Sequence, residues 1–142
     1  MSFKRILCPV DLSPSSDQAI RVASSIAKGD AAKLLFLHVA MPELPLSASS
    51  AIPEVNHALA IEKEKFLQIR PCDGGVDCEH LFVRGEPVEV ILDTVKKQDV
   101  DLIVMPTHGR TGLARLLMGS VAEKVVRLAS CPVLVVKTPD QN

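Results

Sequence analysis

Short apolar runs and stretches of helical periodicity alternate along the chain. Five runs predict β-strands, at residues 6–10, 34–39, 79–83, 102–105 and 132–136. Runs that are apolar almost without interruption are typical of parallel strands covered on both faces. The run at residues 79–83 is more polar than the others, so we expect that strand at an edge of the sheet.

Helical periodicity fills the intervals between these strands. We interpret Ser13 as the N-cap of the first helix, with Pro14 at its first helical position and Gly29 at its end. A second, amphipathic helix is predicted over residues 54–70, and a third opens at residues 85–87. A fourth helix precedes the last strand.

The alternation of strands and helices predicts an α/β fold with a doubly wound, five-stranded parallel sheet, Rossmann-like, with helices on both faces. The 142 residues are enough for a single domain, 1–142, and we interpret the segment at residues 40–53, rich in proline and serine, as a mobile surface loop within it. If the first strand is central, the strand order is 3-2-1-4-5 and reverses between strands 1 and 4. Ligands of such sheets bind at this reversal, beyond the carboxyl ends of the strands. Residues 9–13, including Asp11, would meet residues 105–120 there.

Composition narrows the classes of function. The chain has a formal net charge of −1, four phenylalanines and no Trp or Tyr. It therefore offers neither a basic surface for nucleic acid or anionic membrane nor a platform for stacking bases. No run approaches the ~20 apolar residues of a membrane span, and the first apolar run is too short for a signal peptide, so we expect a cytoplasmic protein.

The cysteines do not have the spacing of a zinc site or of a Cys-x-x-Cys motif. They are Cys8, Cys72, Cys78 and Cys131. We interpret them as buried, reduced thiols. A disulfide or redox switch between Cys72 and Cys78, which flank a Gly-Gly turn, is the alternative.

The stretch after the fourth strand carries the clearest chemical signal. A long loop containing Gly109 and Arg110 leads to Ser120, which has the spacing of a capping box with Glu123, so we predict that the fourth helix begins with Ser120 as its N-cap. The orphan N–H groups of its first turn and the helix dipole would make an anion site, which Gly119 lets a ligand approach closely. The plainer alternative is a capped helix after a surface loop. The length of the loop favours the functional interpretation.

Other polar residues have structural interpretations. Asp11 can cap the first helix or its turn. His38, His57 and His80 lack metal-ligand spacing, so we interpret them as structural or surface residues and predict no metal site. His108 has no evident orienting carboxylate or nucleophile, so no catalytic residue is predicted.

Four motifs resemble the universal stress protein family. They are Val-Asp-x-Ser after the first strand, His-Val at the end of the second, Thr-His-Gly-Arg-Thr-Gly followed by Gly-Ser-Val-Ala-Glu after the fourth, and a closing Cys-Pro-Val-Leu-Val-Val. The resemblance covers essentially the whole chain. Its most specific part is Gly109 and the pair Gly119-Ser120, which are separated by nine residues. This spacing matches the second half of the family's G-x-x-G-x9-G-S/T nucleotide motif.

The resemblance implies an ATP site. Adenine and ribose would lie against residues at the ends of three strands, with Met105 as the floor of the pocket: Pro9, Val10, Asp11, Ser13, Val39 and Met105. The phosphates, with a Mg²⁺ carried by the nucleotide, would be held by residues of the loop and the helix start: Gly109, Arg110, Gly119, Ser120 and Val121.

Pro106 departs from the family motif, because it stands where the motif has its first glycine. Proline has no N–H and holds φ at about −65°, so a contact that needs that donor or a positive φ is lost. The chain also lacks the Lys-Ser/Thr pair of a Walker A loop, so fast ATP hydrolysis is not expected.

Three functions follow from these observations. The leading hypothesis is an ATP-binding, nucleotide-dependent stress-response switch. The rival is a dimeric interaction module of the same fold that binds no nucleotide, and an adenylyl-transferring or hydrolysing enzyme comes third because the chain has no evident catalytic base. The apolar last strand, residues 132–136, would form an edge that invites pairing with another chain. The resemblance implies a homodimer through this strand, in which Val133 and Val135 are buried.

Overall fold

The structure, a computed structural model, describes residues 2–41, 53–107 and 118–138. Five strands form one sheet: β1 Arg5–Pro9, β2 Lys33–Ala40, β3 Cys78–Arg84, β4 Leu102–Pro106 and β5 Val133–Val136. The described helices are α1 Ser15–Asp30, α2 Pro53–Leu67, α3 Pro87–Lys97 and α4 Ser120–Leu128. All strand pairs are parallel and the order is β3-β2-β1-β4-β5, which confirms the predicted doubly wound α/β fold.

The strands are apolar on both sides because the helices cover both faces. Alternate residues of the central strands pack with α1 and α2 on one face: Ile6, Cys8, Leu34, Phe36 and Val104. The residues between them pack with α3 and α4 on the other face: Leu7, Leu35, Leu37, Ile103 and Met105. The period-two alternation of side chains along a strand thus divides one apolar run between two cores. The more polar β3 lies at an edge, as predicted.

Both predicted ends of the first helix were wrong by a short distance. The helix begins at Ser15, and Pro14 occupies the N-cap position without a side-chain hydrogen bond. It continues through Gly29 to Asp30, and Ala31 takes the left-handed conformation that ends it, at φ 54°. The N–H of Ala32 then donates to the carbonyl oxygen of Ala27 at 2.8 Å, so this 6→1 bond sets where the helix stops.

The second helix ends at Leu67, three residues before the predicted end at residue 70. Among the described residues of α2, only Phe66 is buried. Most of the predicted loop at residues 40–53 lies outside the described residues. Within the described ranges, no helix is long and apolar enough to cross a bilayer.

The expected burial of the cysteines is confirmed only for Cys8, since Cys78 and Cys131 are half-buried and Cys72 is exposed. All four thiols are free. Burial raises the pKa of the Cys8 thiol to about 12, so this group stays neutral and packs as a small apolar side chain.

Gly85, which follows β3, occupies a position that other residues fit poorly. Its φ is +157°, and a Cβ on it would lie 2.8 Å from Cγ2 of Val90. We expect Gly85→Ala to lower the free energy of unfolding, measured by urea denaturation, by about 1–3 kcal/mol because of backbone strain and this clash. Gly74→Ala is the matched control, since a Cβ there meets nothing within 4 Å, and we expect a change within about 0.5 kcal/mol. Equal losses in the two variants would contradict the prediction.

Candidate functional site

A cavity of about 290 Å³ opens at the carboxyl ends of β1 and β4, where the strand order reverses. This volume is at the lower end of the range for small-molecule sites. The strand ends and the residues just after them supply one part of its lining: Pro9, Val10, Asp11, Leu37, Val39, Met105, Pro106 and Thr107. The starts of α3 and α4 supply the rest: Pro87, Ile91, Gly119, Ser120, Val121 and Ala122.

Most of the predicted site residues lie together in this cavity. They are Pro9, Val10, Asp11, Val39, Met105, Gly119, Ser120 and Val121. Ser13 does not line it and instead contacts Asp11. Gly109 and Arg110, like His108, lie outside the described residues, so their predicted roles stay predictions.

Several lining residues were missed by the sequence analysis. Leu37 carried a usable signal, because it lies two residues before Val39 and strand side chains two apart share a face. Pro87 and Ile91 are spaced by four residues on α3. This spacing puts them on one face of the helix, but it is as typical of a face packed on a core as of a face that lines a ligand site. Nothing in their residue types marks them as part of a ligand site.

The Asp11 carboxylate is fixed in place at the beginning of α1. Its Oδ1 accepts hydrogen bonds from the N–H of Ser13 at 3.0 Å, the hydroxyl of Ser13 at 2.5 Å and the hydroxyl of Ser16 at 2.9 Å. The bond from the N–H two residues later is an Asx turn, which confirms the interpretation that Asp11 caps the turn before the helix. Between them, Leu12 takes a left-handed conformation at φ 67°. The negative charge also lies near the positive end of the α1 dipole. Asp11 thus reaches the cavity as a preoriented acceptor.

The start of α4 differs from the predicted capping box. Gly119, not Ser120, is the N-cap, and the structure gives no side-chain cap hydrogen bond there. Gly119 is held by its N–H, which donates to the carbonyl oxygen of Thr107 at 2.7 Å. Glu123 pairs with Arg127 at 3.1 Å. The helix therefore begins at Ser120, as predicted, but the predicted cap by the Ser120 side chain is wrong.

The first turn of α4 brings backbone donors to the lining of the cavity. The first intrahelical bond of α4 runs from the N–H of Glu123 to the carbonyl oxygen of Gly119, at 3.0 Å. The N–H groups of Ser120, Val121 and Ala122 belong to the first turn, where a helix provides no partner for them. All three residues line the cavity. Together with the helix dipole they form an arrangement suited to an anion.

Pro106 ends β4, and its missing N–H does not remove a hydrogen bond from the sheet. Ile103 and Thr107 donate their N–H groups to the β5 segment at 3.0 and 3.1 Å. Since successive N–H groups of a strand point to opposite neighbours, the donor that Pro106 lacks would face the side of β1. The pairing of β4 with β1 ends earlier, at Ile103 with Leu7. A ligand in the cavity therefore finds no backbone donor at Pro106.

Comparisons with known proteins give consistent matches. Residues 2–137 match the model of the Universal stress protein family. Universal stress protein MJ0531 of Methanocaldococcus jannaschii is 37% identical, over 99% of this chain and 85% of its own length. The solved structure of MJ0577, from the same archaeon, has a TM-score of 0.82 and 29% identity, over 99% of this chain and 100% of that one. A universal stress protein solved in complex with cAMP has a TM-score of 0.66 and 26% identity, over 96% of this chain and 98% of that one.

Proposed function

Since this chain belongs to the universal stress protein family, we propose that it binds ATP in the cavity between β1 and β4 and acts as a nucleotide-dependent switch in a stress response. The observation that carries the proposal is the set of groups that line one cavity. They are a fixed carboxylate, a wall of apolar side chains and the residues of a helix start. A nucleoside triphosphate presents hydroxyls, a flat base and anionic oxygens to match them.

The apolar wall fits a purine base. Leu37 and Val39 of β2 and Met105 of β4 line the cavity, and Met105 is only 4% exposed. A base packed against them would be removed from water. Burial of its apolar surface supplies binding energy without requiring a particular hydrogen-bond donor. The Asp11 carboxylate accepts hydrogen bonds and repels phosphate, so it favours ribose hydroxyls on its side of the cavity. This polarity would orient the nucleotide.

The start of α4 fits the phosphates. The N–H groups of Ser120, Val121 and Ala122 can donate to phosphate oxygens, and the hydroxyl of Ser120 is not used as a cap. The Mg²⁺ that accompanies ATP would neutralise part of the phosphate charge. The related structure with bound cAMP supports a nucleotide as the ligand.

Removal of the Asp11 side chain tests this assignment. We expect Asp11→Ala to weaken Mg-ATP binding about tenfold, because the ribose loses a charged hydrogen-bond acceptor. Isothermal calorimetry measures the change. Asp17→Ala is the matched control, since it removes an exposed carboxylate from the first turn of the same helix and Asp17 does not line the cavity. Equal affinities of the two variants for ATP would contradict the assignment.

We also propose that the protein forms a homodimer through β5. This strand ends the described sheet, and Leu134 is 39% exposed in a strand without charged residues. An apolar edge strand can pair with its copy across a two-fold axis. Light scattering at micromolar concentration should give the mass of a dimer, and a monomeric mass would contradict the proposal. A dimer that neither retains nor binds nucleotide would favour the rival function, an interaction module.

A further inference from the structure

A buried histidine links the wall of the cavity to α2. His38, near the end of β2, is 2% exposed. Its Nδ1 donates a hydrogen bond to the carbonyl oxygen of Val10 at 2.8 Å, and its Nε2 is hydrogen-bonded to Oε1 of Glu62 on α2. The imidazole packs beside the rings of Phe66 and Phe82, with centroids 5.7 and 5.5 Å away. One side chain therefore joins β1, β2 and α2.

The hydrogen bonds determine how many protons the pair holds. A carbonyl oxygen only accepts, so Nδ1 carries a hydrogen. The contact between Nε2 and the Glu62 carboxyl then needs one more proton, held either by an imidazolium beside a carboxylate or by a carboxylic acid beside a neutral imidazole. Loss of that proton would leave a nitrogen lone pair against a carboxylate oxygen. The contact would become repulsive.

The same side chain fixes the segment that carries Asp11. The N–H of Val10 donates to the carbonyl oxygen of Leu37 at 2.8 Å, and the Val10 carbonyl accepts from His38. Both hydrogen-bonding groups of Val10 are thus held by β2. Val10, Asp11, Leu37 and Val39 all line the cavity. Movement of the imidazole would release the peptide between Val10 and Asp11.

We propose that His38 is a positioning residue that couples the docking of α2 to the Asp11 side of the nucleotide site, and that the proton shared with Glu62 controls this coupling. The inference rests on the proposed function for its ligand, but the docking of α2 does not. The contact between His38 and Glu62 matters for the docking of α2, because the helix has few other contacts with the core. Phe66 is the one buried residue among those described in it. A bond from Nε2 of His80 to the carbonyl oxygen of Ile69, at 2.7 Å, holds the segment that follows α2.

Other ionisable groups of the described residues lie near this pair. From α2, the Nζ of Lys63 lies 5.9 Å from the centroid of Phe82. From β3, His80 packs against Phe66, and Asp11 follows Val10 after β1. A second proton on Glu62 would still leave a hydrogen on Nε2 as the donor, whereas loss of the shared proton would not. Docking should therefore weaken on loss of that proton, which a higher pH favours.

Hydrogen exchange of the protein without nucleotide tests whether the proton shared by His38 and Glu62 controls the docking of α2. Between mildly acidic and mildly alkaline buffer, after correction for intrinsic rates and relative to α3, we expect exchange of the α2 amides to accelerate about fivefold or more. Glu62→Gln is the matched variant, because its amide can donate to a neutral Nε2 without an extra proton, and it should show no such acceleration. The same pH response in both proteins would overturn the proposal. In wild-type protein, ¹⁵N spectra of His38 should show that Nδ1 keeps its hydrogen throughout, and loss of that hydrogen would overturn it independently.

Exchange with saturating Mg-ATP tests the coupling. In wild-type protein we expect protection to rise both at residues 10–13 and in α2. His38→Gln can still reach Glu62 but not Val10, so ATP should protect residues 10–13 and leave α2 unchanged. Protection of α2 in this variant equal to that in wild-type protein would overturn the proposal. Absence of any ATP effect in wild-type protein would instead contradict the proposed function, while the pH experiment would still decide the role of the His38 proton.

Discussion

Ser120→Glu should lower the affinity for Mg-ATP by about 100-fold or more and leave the folded protein at least as stable. A carboxylate at the first position of α4 would lie where we place the phosphates. Two like charges about 4 Å apart repel by about 4 kcal/mol at the effective dielectric constant of a protein surface, which exceeds the loss needed for a 100-fold effect. The same carboxylate favours the positive end of the helix dipole by about 0.3–1 kcal/mol.

Ser120→Glu should weaken ATP binding without lowering stability because of the way α4 begins. Gly119 is the N-cap and Ser120 makes no cap hydrogen bond, so the substitution removes no bond on which the helix depends. Ser120 is exposed, which leaves room for a longer side chain. Calorimetry with Mg-ATP and urea denaturation measure the two effects. Ser120→Gln is the matched control for size and should bind ATP more tightly than the Glu variant. If the Glu variant bound ATP as wild-type protein does, the placement of the phosphates would be wrong.

Phe66→Ala should cause the largest loss of stability among the substitutions considered, about 3–5 kcal/mol. Phe66 is fully buried, and its ring lies 5.3 to 6.1 Å, between centroids, from those of His38, His80 and Phe82. Truncation would leave a cavity between α2 and the sheet. A typical domain is stable by about 5–15 kcal/mol, so the loss should be evident as a lower urea midpoint.

Leu67→Ala is the matched control for Phe66→Ala. Leu67 is the next residue of the same helix and is 43% exposed. Its truncation should change the free energy of unfolding by about 0.5 kcal/mol or less. A similar loss in both variants would contradict the prediction, because it would mean that burial of the Phe66 ring is not the source of the effect.

The sequence predicted the fold well because hydrophobic periodicity is a local signal. Each strand is a short apolar run, and the alternation of runs with helical stretches allows few topologies. Helix ends and caps were predicted less well, since the backbone hydrogen bonds that fix them have no distinct residue pattern. The bond from the N–H of Gly119 to the carbonyl oxygen of Thr107, which holds the N-cap of α4, joins residues twelve apart.

In the candidate site, too, the sequence revealed the residues with local signals and not those that depend on distant contacts. Asp11 and Ser120 could be found from their places after a strand and before a helix, and both line the cavity. Pro87 gave no chemical signal, and the partner of His38 could not be found from the sequence because Glu62 lies 24 residues away on a charged helix face. His38 was interpreted as structural or as a surface residue. The structure confirms the first alternative and adds the bond that gives the residue its proposed role.

The most direct test of ATP binding uses freshly purified protein. The protein is denatured, any released nucleotide is identified by chromatography, and the emptied, refolded protein is titrated with Mg-ATP by calorimetry, with Ser120→Glu beside it. We predict that wild-type protein releases ATP or binds it in the titration and that the Glu variant binds ATP at least about 100-fold more weakly. Wild-type protein that releases no nucleotide and gives no heat at millimolar ATP would contradict the proposed function.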